Sequence, residues 1–407
     1  MPRLDSPFVK TRKHIILTEL GTGKVVNRSH LLTLLRLDHR LSPRLEIDFD
    51  ERLKQCVSVE AGSDGFELAS LIEKHNLSHS VATSASFLNF SEDLRTLVEN
   101  NAITASKQAL VVANEMTKLF RLLESLKIDA LFYKGVALSI RTTGTLDGRG
   151  SGDVDLLVSD ADTVATSKTL MSHNFISVFR ISPEKGCNWR FFSWLYKELP
   201  FSSSRVQVDL HWRLFQSGHI SPSFNELYAR RSTVEIFQTR VNTLSDADSL
   251  MLMCHSFVSD GCQSLKQLVD IRRLQLMVQD RFASGYSKGM NDVQRAILRF
   301  AQIAFDDCEK PLDGLTACQR RLLIEVVKRW HTPASIENQE THIVSMKMHR
   351  QALYWAAKSG YASLNVLRYL MGRVFEFKNQ DFNNSRNLLW RAFRAEVWFQ
   401  IRHRKAK

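Results

Sequence analysis

Apolar and polar positions alternate most cleanly in two short stretches. In Asp153-Val154-Asp155-Leu156-Leu157-Val158, a strand puts Val154, Leu156 and Val158 on one face and Asp153, Asp155 and Leu157 on the other. In Val206-Gln207-Val208-Asp209-Leu210-His211-Trp212, the even positions are apolar and Gln207, Asp209 and His211 share the opposite face. Upstream the period changes. Ala109, Val112, Ala113, Met116, Leu119, Phe120, Leu123 and Leu126 recur at helical spacing, which predicts a helix after an Asn100-Asn101 break that packs on the following sheet. Ile128 to Tyr133 reads as a strand ending at Lys134-Gly135, and Val136 to Ile140 as the start of a helix.

Further along, Ser159 or Asp160 caps a predicted helix running to about His173, with Asn174 as its stop. Phe175 to Ile181 reads as a strand, Asn188 to Leu199 as one or two aromatic-rich strands, and Pro200 with Ser202 to Ser204 as a turn. Ser245 and Asp248 resemble a capping box before Leu250, Met251, Cys254 and Val258, and a second helix spans about Gln263 to Gln279. Residues 1 to 100 read as mainly helical, with stretches at His30 to Leu37 and Gly65 to His75. The expected fold class is α+β: a mixed sheet flanked by helices, in a core of residues 101–240 between helical regions at 1–100 and 241–407.

Composition narrows the function classes. The 407 residues, 44% hydrophobic, suffice for a sizeable core, and no run reaches the roughly 18 apolar residues of a membrane span. With no apolar signal core at the amino terminus, a cytoplasmic protein is expected. The six cysteines are scattered without a Cys-x-x-Cys pair, so reduced, mostly buried thiols are expected rather than a zinc site. A net charge of +12 attracts anions, and the end of the chain is basic and aromatic, with Arg386, Arg391, Arg402 and Arg404 among Trp390, Phe393 and Trp398. A terminal helix that packs its aromatics on the body and leaves a solvated basic tail is expected ahead of a surface for RNA or an anionic membrane.

The candidate chemistry lies on the polar faces of the two strands. Like charges two residues apart on a strand repel unless a cation or a hydrogen-bond network neutralises them, and a divalent metal is the natural partner of Asp153 and Asp155. If the second strand pairs beside the first, Asp209 completes a three-carboxylate cluster able to hold two Mg²⁺ ions, with Mn²⁺ as the alternative. Four glycines between Gly144 and Gly152 would let backbone amides approach a phosphate. Lys134-Gly135 at a strand-to-helix junction is a second anion site. His211 is placed behind the metal or toward the acceptor, because hard Mg²⁺ prefers oxygen. His255 and Asp270, on the later helices, are further candidates to face the cleft.

These motifs in this order resemble the bacterial uncharacterised nucleotidyltransferase family of the polymerase-beta-like superfamily. The likeness rests on Leu131 to Leu138 with its Lys134-Gly135, Arg149 followed by Asp153 to Val158, and Val208-Asp209-Leu210-His211-Trp212, and it covers roughly residues 30 to 280. The wider superfamily has Gly-Ser or Gly-Gly where Lys134-Gly135 stands. The resemblance implies metal-dependent transfer of a nucleoside monophosphate from an NTP, such as ATP, to an acceptor. Asp153, Asp155 and Asp209 would be the catalytic and metal residues; Lys134, Gly135 and Arg149 would bind the nucleotide phosphates. The acceptor is open among a small molecule, a peptide, a sugar and RNA. Two other classes compete. Asp-x-Asp also holds Mn²⁺ in some sugar-nucleotide-dependent glycosyltransferases, and a non-catalytic nucleotide- or RNA-binding protein would use the basic surface alone.

Overall fold

A computed structural model describes Leu35 and residues 64–84, 90–178, 187–215, 222–260, 262, 264–281, 290–305 and 312–330. Most of the predicted stretch His30 to Leu37, as well as Cys56, Cys308 and the basic aromatic tail, lies outside these residues. Helices α1 (Asp64–Lys74) and α2 (Ser78–Ala82) lead into α3 (Glu92–Ser125). Ser91 caps α3 by accepting a hydrogen bond from the Leu94 amide, and Glu92 and Asp93 meet the positive end of its dipole.

Helix α3 runs straight through Asn100-Asn101, so the expected break there is corrected. Asparagine costs only a few tenths of a kcal/mol in a helix, and burial on both sides of the pair outweighs it. Before the pair, Leu94 and Val98 enter a cluster of helices; after it, Ala109 to Leu123 pack on the sheet. One helix thus ties two cores together.

The sheet contains β1 (Ala130–Phe132), β2 (Asp153–Val158), β3 (Ile176–Ser177), β4 (Glu198–Ser202) and β5 (Gln207–His211) in the order β1-β2-β5-β4-β3. β2 and β5 are parallel and the other pairs antiparallel, which gives the expected mixed sheet. Helix α4 (Gly135–Thr143) follows β1 and stops at Gly144, in the left-handed conformation (φ +77°). Helix α5 (Thr163–Ser172) follows β2. Val154, Leu156, Val158, Val208 and Leu210 face α3, whereas Leu157 shares the opposite face with Leu131 and Tyr133.

Two expectations around β4 need correction. Asn188 to Leu199 is mostly helix α6 (Cys187–Leu195). Trp189, Phe192 and Tyr196 stack at helical spacing, with Trp189 also edge-on to Trp212 at 5.5 Å. Pro200 lies within β4, opposite Asp209, rather than in a turn. Its carbonyl accepts from the Val178 amide, so the side of the backbone that lacks an N–H faces the short β3 and not β5.

After helix α7 (Phe224–Ala229), strands β6 (Ser232–Ile236) and β7 (Thr239–Thr243) form a separate hairpin. Helices α8 (Asp246–Ser259), α9 (Leu265–Arg281), α10 (Asp292–Ala304) and α11 (Ala317–Trp330) complete the described chain. Ser245 caps α8 by accepting from the Asp248 amide at 3.2 Å, as its spacing predicts. Cys254 and Cys262 are free buried thiols. No helix among the described residues is long and apolar enough to cross a membrane.

Candidate active site

Parallel pairing of β2 with β5 sets Asp153 opposite Gln207, Asp155 opposite Asp209 and Leu157 opposite His211. Side chains at paired positions share a face, so the acids of the two strands meet. One ligand atom from each of Asp155, Asp209 and His211 lies within 4.8 Å of the others. Asp153 is at the open end of β2 and Asp155 is buried. Lys134 Nζ is 3.3 Å from Asp155 Oδ1, and Gln207 donates to Asp209 Oδ1 at 2.8 Å. The buried His211 ring is wedged between two carboxylates, with Nε2 3.4 Å from Asp155 Oδ1 and Nδ1 3.0 Å from Glu198 Oε2. Tyr133 closes over it edge-on at 5.3 Å.

The three acids differ sharply in how readily they ionise. Burial alone would raise the Asp155 carboxyl, yet Lys134 and then His211 hold it far below the usual carboxylate range. Among the described residues, no cation lies within ion-pair distance of Asp209. Burial, with repulsion from Asp155, Glu198 and Asp153, pushes it up to about 6 against the opposing hydrogen bond from Gln207. Asp153 is likewise raised, by burial and then by Asp155. Burial, together with Lys197, lowers His211, which favours a neutral imidazole. The cluster therefore carries negative charge that its own cations do not neutralise.

The residues expected to bind phosphate are brought to the same end of the sheet. Lys134 closes β1 and precedes α4; Gly135 takes φ +51°, and a Cβ there would stand 2.6 Å from Ser151 Oγ and 3.1 Å from the Asp153 carbonyl. Only glycine lets the helix start lie so close to the strand that carries the acids. Arg149 is buried, and its Nε donates to Asp270 Oδ2 at 2.8 Å, which links α9 to the loop before β2.

That loop departs from the expected phosphate cradle. The Gly148 carbonyl accepts from Arg273 at 3.2 Å and Ser80 at 3.3 Å, and Gly150 (φ +67°) packs on the Asn76 backbone. Both glycines are buried for packing. Gly152 is exposed, with open space where a Cβ would be.

Asp270 reaches this region through Arg149, but His255 does not join the acids. His255 Nε2 lies 2.8 Å from Asn291 Nδ2 and its ring 4.8 Å from Phe215; burial lowers it to about 4. Glu198, Tyr133 and Lys266 join the site without a motif to mark them in the sequence. Tyr133 and Glu198 sit at the ends of strands as ordinary pattern residues, and only the register of β4 on β5 brings Glu198 to His211. Lys266 had one available signal, the i, i+4 spacing to Asp270 on a helix.

A family model described as an uncharacterised nucleotidyltransferase matches residues 61–286. The chain belongs to this family. The match starts later than the resemblance read from the motifs, and it takes in β1 to β7 with α8 and all of α9. For a member of this nucleotidyltransferase family, the facing acids of β2 and β5 are the candidate catalytic centre. A crystal structure of an antigenic nucleotidyltransferase-like protein from Paracoccidioides brasiliensis is similar over 51% of this chain and 95% of its own, at 16% identity and a TM-score of 0.33. A likeness that slight carries no residue correspondence. None of the curated proteins matches the chain.

Proposed function

We propose that the chain is a divalent-metal-dependent nucleotidyltransferase that moves a nucleoside monophosphate from an NTP to an acceptor hydroxyl, with pyrophosphate leaving. The observation that carries this reading is the pairing of Asp155 with Asp209 across parallel strands, in a cluster whose charge its own cations leave unbalanced. Hard carboxylate oxygens and that excess charge fit Mg²⁺ or Mn²⁺. Asp153, Asp155 and Asp209 would hold the metal; His211 also lies within reach, but its place between Asp155 and Glu198 suits steering the Asp155 carboxylate. When bound, the ion would neutralise phosphate oxygens and acidify the acceptor hydroxyl.

The chain's own groups divide the remaining work. Asp209, ionised above about pH 6, would accept the proton from the acceptor. Lys134 keeps Asp155 ionised and adds positive charge where pyrophosphate departs. Arg149, bound to Asp270, would act by holding the loop before β2 and through its field rather than as a free phosphate ligand. Acceptor and base identity belong to the test. Cell extract incubated with Mg²⁺ and each NTP labelled at the α-phosphate, followed by mass spectrometry, should reveal an acceptor heavier by one nucleoside monophosphate. Products heavier by a sugar when sugar nucleotides replace NTPs, with no NTP-dependent product, would sink the assignment.

A further inference from the structure

The cations expected on the phosphates are already engaged by carboxylates. Lys134 faces Asp155 at 3.3 Å and Arg149 is bound to Asp270 at 2.8 Å. Lys266 differs. Among the described residues, no carboxylate lies within ion-pair distance of its ammonium, although the side chain is only partly exposed.

Its position follows from the way α9 lies along the loop before β2. Arg273 of α9 holds the Gly148 carbonyl, and Asp270, nearly one turn earlier, holds Arg149. Lys266, one turn earlier again on the same face, therefore comes level with the loop's next residues, toward Gly152 and Asp153. Of the cations acting on Asp153, Lys266 acts most strongly, ahead of Lys134 and Arg149. Gly152 beside it is exposed and bounded by open space.

The helix start sharpens the point. α9 has no acid in its first turn, where a carboxylate is favoured, and carries Lys266 there instead. The amides of Leu265 and Gln267 in that turn are taken up by His75 and Ser264, so the Lys266 ammonium is what this end of α9 offers to an anion beside carboxylates that fit a metal. An anion that also binds the metal satisfies all of these groups, and a polyphosphate is such an anion.

We propose that Lys266 binds the terminal phosphates of the NTP, so that the triphosphate lies between the acids of the sheet and the first turn of α9. This rests on the nucleotidyltransferase reading above. Burial and the neighbouring Arg149 lower its ammonium to about 8, a cost that a bound polyphosphate would reverse. Lys266 then holds the pyrophosphate leaving group directly, while Lys134 and Arg149 act on it through their charge as they organise the acids and the loop.

The test is calorimetry of Mg²⁺-ATP, -GTP, -CTP and -UTP against the full chain, then of the tightest-binding NTP and its monophosphate against Lys266→Gln and Lys266→Arg. Lys266→Gln should weaken the triphosphate about 10- to 100-fold, as expected for one charge-assisted contact, and leave the monophosphate unchanged. Lys266→Arg should keep most of the affinity. Because the ammonium makes no ion pair or hydrogen bond among the described residues, Lys266→Gln should melt no lower than wild type. Equal effects on triphosphate and monophosphate, no effect on either, or a lower melting temperature would each overturn the assignment of Lys266. Failure of wild type to bind any NTP is a separate result: it removes the nucleotidyltransferase reading itself, and this inference with it.

Discussion

Asp155 and Asp209 face each other across parallel strands, yet one is held ionised by Lys134 and the other is pushed up to about 6. Burial acts on both; the ammonium beside Asp155 makes the difference. The consequences can be separated by substitution.

Asp209→Asn should abolish turnover while stabilising the metal-free fold at neutral pH. Its folded value lies above its unfolded one, so the folded state holds the extra proton between about pH 4 and 6, and stability falls as pH rises through that window. Relief of the ionised form is worth about 1 to 2 kcal/mol once solvent screening in the open site is allowed for. Thermal melts at pH 4 and pH 8 in a chelator test this: the gain of the variant over wild type should be full at pH 8 and nearly gone at pH 4.

Metal binding should weaken as pH drops through about 6, with close to one proton released per ion bound at pH 5 and little at pH 7, because Asp209 must lose its proton to serve as a ligand. Calorimetry of Mn²⁺ in buffers of different ionisation enthalpy counts that proton. Binding independent of pH between 5 and 7 would remove Asp209 from the site.

Asp155→Asn should behave unlike Asp153→Asn. Removing the buried partner of Lys134 and His211 should cost roughly 3 kcal/mol of stability as well as activity. Asp153, which is partly exposed and repelled by its neighbour, should lose activity on conversion to Asn with no loss of melting temperature. Equal destabilisation of the two variants would contradict this ordering.

His211→Ala should lower turnover and weaken metal about 10- to 100-fold without removing it, since the imidazole acts by orienting Asp155. Loss of the ion as complete as in Asp209→Ala would make His211 a direct ligand.

The parts of the fold visible beforehand are those with an unambiguous period. β2 and β5 alternate cleanly, and the Ala109 to Leu123 stripe fits only a helix. Cys187 to Leu195 carries aromatics compatible with either period, and its helix is settled by the stack of Trp189, Phe192 and Tyr196. The β6-β7 hairpin escaped notice because its turn, Phe237-Gln238, puts both residues at positive φ without the expected Asn or Gly. In the site, the acids were legible as strand faces. The carboxylate partners of Arg149 and His211 were not, because Asp270 and Glu198 reach them only through long-range packing.

The most direct measurement of the central claim is release of pyrophosphate or nucleoside diphosphate from a panel of NTPs and sugar nucleotides, with Mg²⁺ or Mn²⁺, by wild type and by Asp153→Asn, with cell extract as the source of acceptor. Pyrophosphate from an NTP, dependent on metal and absent in Asp153→Asn, is the predicted result. Nucleoside diphosphate from a sugar nucleotide alone, or pyrophosphate release undiminished in Asp153→Asn, would contradict the account.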